Sequence, residues 1–326
     1  MVVAQIAYNH LDPAVKAKCD ALIAIPLTNS SSMNSNFVTA ACWADDIKGG
    51  TSIYNNWHYI DIPFSLDHSP TNGVGTASFD VVRAINLCVS NLASSATALS
   101  NQAMYLRFLL HFVGDIQQPL HCSTEVTASD LNGDNGGNSF FLNGNWSNLH
   151  SLWDDGGGYL SDFISRPLAA SDKSFISNKA ALVESQFQYT PNPGIPSPST
   201  WAIEGWGLAQ TVSYVGITNN TTPTSAYLAT ASNTTEQRMA VGGFRLADLL
   251  NTIYSTNGVS LLSLTATNSR FGFSWSSVPG RKYRIQYAPQ SWGATWLDLT
   301  SFTASSNSAS FSENRVPTQR FYRVVQ

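Results

Sequence analysis

One run constrains the chain more than any other: His111-Phe-Val-Gly-Asp115-Ile-Gln-Gln-Pro119-Leu-His121. The residues before it, Ala103-Met-Tyr-Leu-Arg-Phe-Leu-Leu, are good helix formers with no internal Gly or Pro, so the run begins inside a buried helix. His111 and Asp115 are four apart and stand on one face of that helix, one turn above the other. Pro119 then ends or bends the helix, and His121 leaves it at a new angle. An unpaired carboxylate in an apolar wall costs several kcal/mol, which a divalent cation would offset. A lone histidine on an apolar face is ordinarily a core residue bonded to backbone. Two histidines and an aspartate in so short a run, with partners elsewhere, point to a metal site.

At 326 residues the chain can hold one large domain and a small one. Charged residues make up 12% of it, while Ser, Thr, Asn and Gly are plentiful, a balance that fits a secreted or periplasmic protein. The net charge of −4 excludes a broad basic surface for duplex DNA, so nucleic acid would be gripped locally, at a cleft. Cys19, Cys42, Cys88 and Cys122 form no CxxC pattern; disulfide bonding is expected, with three connectivities open. No run is long and apolar enough to span a membrane, and the start at Met1 carries no signal peptide.

Taken in order, residues 2 to 11 show helical spacing, and a second helix is expected from Asp12 to Ile25, with Asp12 as N-cap and Pro13 in the first turn. Thr28 to Asn36 reads as a polar loop. Phe37 to Ile47 is apolar up to the carboxylates Asp45 and Asp46, with Lys48 three residues after Asp45. His58 lies in what reads as a short extended segment, residues 55 to 63, where the alternative is a buried histidine bonded to backbone. His10 and His68 sit in terminal or polar surroundings and read as non-ligands. Ser78 to Leu99 is helical. The Gly/Asn/Asp-rich stretch Asn132 to Asn138 lacks EF-hand spacing and reads as a turn. Asn148-Leu-His150-Ser-Leu-Trp153-Asp154 adds a second His/Asp pair four apart on a helix. Trp201 to Val215 and Gln237 to Tyr254 are further amphipathic helices. After Asn257 the period changes from helical to alternating: Phe271, Phe273 and Trp275, then Tyr283, Ile285 and Tyr287, with Pro279-Gly280 as the turn. More short strands follow at 296–299, 308–311 and 321–325, giving a small β-sandwich without His or Cys. The expected fold is therefore mainly α, a helical bundle over residues 1–257 followed by an all-β sandwich domain over 258–326.

The candidate metal ligands are Asp45, His58, His111, Asp115, His121, His150 and Asp154. Imidazole with carboxylate and no thiolate is a zinc-type donor set, and this many ligands suit a cluster of ions. Grouped zinc ions can activate water and clamp both oxygens of a phosphodiester in line.

The order Trp-Ala-Asp (43–45), Trp-His (57–58), His-x3-Asp-x5-His (111–121) and Asn-Leu-His-x2-Trp-Asp (148–154) resembles the zinc-dependent single-strand nucleases of the S1/P1 type. Trp201-Ala-Ile-Glu204 and Gly243-Phe-Arg245-Leu-Ala also resemble that family's closing helices, and the likeness covers roughly residues 1–256. The resemblance implies an all-α fold related to zinc phospholipase C, with three zincs at the base of a cleft. By motif, Asp45, His58, His111 and Asp115 would hold one ion, and His121, His150 and Asp154 a second. Asp115 would bridge to a third, whose other family ligands, an N-terminal Trp and a nearby His, have no counterpart here. Two fully liganded zincs and a truncated opening are thus expected. Phe79-Asp80 stands where many fungal relatives carry a Cys of the base-recognition loop, so base preference does not transfer. The tail resembles fibronectin-type-III-like modules of secreted bacterial enzymes.

What the resemblance implies is a monomeric phosphodiesterase that cleaves single-stranded DNA and RNA to 5′-phosphorylated products, with 3′-nucleotidase activity. Asp45 would orient the attacking hydroxide, and Lys48 would neutralise the phosphate or stay a solvated surface lysine. The alternatives are a zinc phospholipase C on the same scaffold, or a zinc protein weakened by the absent N-terminal ligands.

Overall fold

Asp115, His121 and the segment around His58 are brought together by one long helix and one short parallel ladder. The computed structural model describes the chain except residues 29, 95, 191–195, 255–260, 278–281, 290–294, 306–307, 317 and 326. Two compact units divide it, Met1–Asn251 and Thr252–Gln326. The expected boundary at 257/258 lies outside the described residues.

The organising helix of the first unit is Leu99–Asp115, which buries Ala103, Leu106, Phe108, Leu109, Leu110, Phe112 and Val113. Apolar residues on nearly every side make it a central element rather than a surface one, and it packs against Val81–Ala93, Pro13–Ile23 and Trp43–Asp46. Arg107 is buried in this wall; its guanidinium donates to the carbonyls of Ala103, Ile23 and Ile25, covering the C-terminal end of the Pro13–Ile23 helix. Pro119 opens a 3₁₀ turn, Pro119–Cys122, that redirects the chain as the sequence predicts. Strand Ser123–Glu125 follows and pairs in parallel with Ile62–Phe64. The Ile60 N–H donates to the His121 carbonyl at 2.7 Å, so the His58 segment lies beside His121.

Two glycines permit close approach beneath this turn. A Cβ on Gly205 would lie 2.8 Å from Cys122 Sγ, and one on Gly243 would lie 2.4 Å from Ile6 Cγ2. Helices Pro198–Leu208 and Ser225–Tyr254 can therefore seat their backbones against the 3₁₀ turn and the first helix.

Several local readings are corrected. The second helix is Pro13–Ile23; Pro13 does open it, but the Asp12 side chain makes no cap bond. The polar loop before Phe37 contains a 3₁₀ turn, Ser32–Asn34, capped by Ser31. His58 ends a 3₁₀ turn, Asn55–His58, rather than lying in an extended segment; Trp57 packs between Tyr54, Phe79 and Phe108 and pulls the backbone into a turn. The Trp201 helix becomes a π-helical turn at Ala209–Ser213. Helix Ala170–Gln186 has no counterpart in the sequence pattern, and Ser225–Tyr254 begins twelve residues before Gln237, within a Ser/Thr/Asn-rich stretch. The disulfide expectation is overturned: Cys19, Cys42, Cys88 and Cys122 are all free. Cys19, Cys88 and Cys122 are buried, acting as small apolar groups, and burial pushes the thiols of Cys19 and Cys122 up to about 12. Among the described residues no helix is long and apolar enough to cross a membrane.

Among the described residues the second unit holds two three-stranded antiparallel sheets. Arg270–Ser276 is central between Leu261–Ala266 and Ser308–Asn314, and Lys282–Ala288 is central between Leu297–Thr303 and Phe321–Val325. Phe273 and Trp275 from one sheet and Tyr283 and Ile285 from the other form its core, which makes it a small sandwich built by the predicted alternation. The turn expected at Pro279-Gly280 lies outside the described residues.

Candidate metal centre

The seven candidate ligands collect into two donor groups on either side of the turn that follows Asp115. In the first, Asp45, His58 and His111 bring one ligand atom each within 4.8 Å of one another. Asp115 Oδ2 joins them, 2.9 Å from His58 Nδ1 and 3.1 Å from His111 Nε2, and those two nitrogens are 3.1 Å apart. Asp45 Oδ1 lies 3.5 Å from His111 Nε2 and 3.8 Å from His58 Nδ1. Asp45 is the open member, 55% exposed, and its Oδ1 also meets Lys48 Nζ at 2.7 Å.

In the second group His121, His150 and Asp154 are gathered in the same way. His121 Nε2 lies 3.4 Å from Asp154 Oδ1, and His150 Nε2 lies 3.5 Å from Asp154 Oδ2. The two imidazoles stack at 4.9 Å between centroids. Helix Leu149–Asp154 starts with a reciprocal cap between Asn148 and Ser151, which sets the short helix that carries His150 and Asp154 one turn apart.

Backbone carbonyls aim three of the four rings. His111 Nδ1 donates to the Ala41 carbonyl at 2.6 Å, His121 Nδ1 to the His58 carbonyl at 2.9 Å, and His150 Nδ1 to the Gly136 carbonyl at 2.7 Å. In the neutral tautomer each Nε2 then carries its lone pair toward a carboxylate. Gly136 (φ 63°) can present its carbonyl only because it has no side chain, since a Cβ would sit 2.4 Å from the Leu120 carbonyl oxygen. His58 differs: Nδ1 faces the group, while Nε2 is buried without a partner, its ring edge against Phe112. These carbonyls, and Gln118 beside Asp154, were not legible in the sequence, because any residue type can supply a carbonyl.

The charges respond to this crowding. Burial alone would lower the His111 pKa, but Asp115, Asp45 and the Ala41 carbonyl outweigh it and raise it. His58 moves down, chiefly through burial, with Asp115 opposing. Asp115 is held well below the usual carboxylate range: burial would raise it, but the facing His111 and His58 win. In the second group burial opposes, yet Asp154 and Asp115 lift His121 to about 9, while burial and His121 lower His150. Imidazole nitrogens and carboxylate oxygens converging with no thiolate among them are the donor set of a zinc site, so the residues fit that cation.

A cleft of about 440 Å³ is lined by Asp115, His121 and Asp154 together with Phe163, Lys179 and Arg238. A second cavity of about 220 Å³ is lined by Tyr59, Asp61, Asn135, Asn138 and His150. Burial and the neighbouring Asp134 push Asp61 up to about 6. His10 and His68 stand outside both groups: His10 Nε2 pairs with Glu184 at 2.6 Å, and His68 occupies a left-handed turn.

Residues 1–255 match the family model described as S1/P1 Nuclease. Endonuclease 2 of Arabidopsis thaliana is 28% identical over 272 residues, covering 78% of this chain and 88% of that protein. Nuclease P1 of Penicillium citrinum is 28% identical over 281 residues, covering 78% of this chain and 96% of that protein. Among solved structures, the alpha toxin of Clostridium absonum aligns over 97% of this chain and 81% of that one, with a TM-score of 0.39 and 9% identity.

Proposed function

The chain belongs to the S1/P1 nuclease family, and on that premise we propose that it is a zinc-dependent phosphodiesterase that cuts single-stranded DNA and RNA, leaving 5′-phosphates. The observation that carries the reading is the pair of donor groups joined by one turn, with Asp115 of the first and His121 and Asp154 of the second lining one cleft. Asp45, His58, His111 and Asp115 would hold one zinc, and His121, His150 and Asp154 another. When bound, such ions lower the pKa of water and neutralise phosphodiester oxygens in line.

The chain's own residues supply the rest. Asp45, exposed at the edge of the first group, accepts a hydrogen bond from the attacking water and takes its proton. Water oxygen bonds to phosphorus, the bond from phosphorus to the 3′ oxygen breaks, the departing oxygen takes a proton from solvent water, and Asp45 returns its proton to solvent. Lys48, against Asp45, supplies positive charge to the phosphate. The smaller cavity, with Tyr59 as an aromatic wall and Asp61, Asn135 and Asn138 as polar contacts, is open to a nucleoside next to the second group, which supports 3′-nucleotidase action as well. We further propose that the two compact units are separate domains, that the second contributes no ligand, that the enzyme is a monomer, and that it acts outside the cytoplasm, as its low charge content favours.

The test is cleavage of single-stranded against duplex DNA by zinc-loaded protein, with product ends mapped and phosphatidylcholine as a parallel substrate. Single-strand cutting with 5′-phosphate ends is expected. Turnover of the lipid with no cutting of nucleic acid would replace this reading with a phospholipase.

A further inference from the structure

We propose that Gln118 is a positioning residue that joins the two donor groups and aims Asp154; this rests on the reading that both groups hold zinc. Gln118 lies between Asp115 and His121, and each of its polar atoms meets a ligand residue or the turn that carries one. Its backbone N–H donates to the Asp115 carbonyl at 2.9 Å, and its own carbonyl accepts from the His121 N–H at 3.1 Å. Its side-chain Oε1 accepts from the Leu120 N–H at 2.5 Å, and Nε2 donates to Asp154 Oδ1 at 2.9 Å.

The orientation of that amide follows from its partners. Leu120 N–H can only donate, so the oxygen must face it, and the NH₂ group is left for the carboxylate. Asp154 needs such a donor. It ends a short helix and its side chain is 51% exposed, so a fixed donor on the neighbouring turn limits how far it can swing into solvent. The Gln118 amide therefore holds Asp154 toward the imidazoles before the cation arrives, and a carboxylate already in place loses less freedom on binding.

A bare capping role for Gln118 would predict something different, and two substitutions separate the cases. Gln118→Ser keeps an oxygen acceptor at the cap of the 3₁₀ turn but is too short to reach Asp154. Gln118→Met removes both bonds. Zinc affinities of the full chain would be read by chelator competition, and the cobalt-substituted protein would be followed by its visible spectrum. Positioning predicts that both variants weaken one ion by about 10- to 100-fold and leave the other at its wild-type affinity. The melting temperature of metal-free Gln118→Ser should match that of wild type, and the cobalt bands of the weakened site should shift. Wild-type affinity for both ions in Gln118→Ser, or equal weakening of both with a lower metal-free melting temperature, would overturn the proposal. Wild-type protein that takes up no zinc would instead overturn the reading of the donor groups, a separate result.

Discussion

The two donor groups use the same residue types but are made rigid in different ways. The histidines of the first are set against the core: His58 and His111 touch through their ring nitrogens, Phe112 lies against both rings, and the partly buried Asp115 faces them. The second sits on short elements. Its stacked imidazoles are aimed by the His58 and Gly136 carbonyls, and its carboxylate is half exposed and tethered by Gln118. Aromatic packing adds to the Ala41 hydrogen bond in the first group, while the second leans mainly on hydrogen bonds. The first should therefore tolerate loss of a peripheral contact, while the second should be sensitive to any shift of the backbone that holds it.

The largest expected effect breaks the first group. Asp115→Asn removes the charge that faces both His58 and His111, and activity should fall by roughly 10³-fold or more with loss of at least one zinc. Near-normal zinc content by elemental analysis would show that this carboxylate is dispensable. Next is metal removal, which tests both groups together, since the ions would bind only the folded state. At about a thousandfold excess over Kd one ion adds ~4 kcal/mol. For a unit of this size that corresponds to a drop of about 8–16 °C in melting temperature on chelation. An unchanged melting curve in chelator, with zinc loss verified, would mean that neither group braces the fold.

Gly136→Ala sharpens the contrast. The left-handed backbone and the 2.4 Å approach to the Leu120 carbonyl force a shift, so stability should drop by about 2 kcal/mol, and the second zinc should weaken while the first is retained. Loss of the first ion instead would show that the groups do not separate as described.

A gentler probe is pH. In the metal-free protein His121 stays protonated up to about 9, so zinc binding at pH 7 to 8 must expel a proton from the second group. Affinity there should rise with pH by about tenfold per unit until about 9, then level off. Calorimetry in buffers of different ionisation enthalpy would register that proton, and its absence would contradict the protonated ring. The smallest effect belongs to His68→Ala and His10→Ala, which should leave zinc content and turnover within a few-fold of wild type. Abolished turnover in a folded His68 variant would mean the ligand set is wrong.

Legibility followed the range of the interaction. His111 with Asp115, and His150 with Asp154, are one helical turn apart, so spacing alone put each pair on one face. Phe271, Phe273 and Trp275 announced a strand because alternate residues share a face. Helix Ala170–Gln186 carries only a faint sequence signal, since Ile176, Ala180 and Val183 are the buried residues of a mostly solvated helix. The first turns of Ser225–Tyr254 are faint for a related reason: Ser, Thr and Asn are weak helix formers there, and burial of Tyr227 and Ala231 compensates. The cysteines misled, because composition speaks to a compartment but only packing decides which thiols meet.

By itself the sequence determined the residue types of the metal centre, the helical and β character of the two units, and the bend at Pro119, all consequences of neighbours within a turn or two. Only the tertiary structure decided that His58 meets His111 across 53 positions, that the carbonyls of Ala41, His58 and Gly136 aim the rings, and that Gln118 joins both groups. Those contacts are made largely by backbone atoms, which every residue possesses, so nothing in the side-chain pattern marks them until the chain has closed on itself.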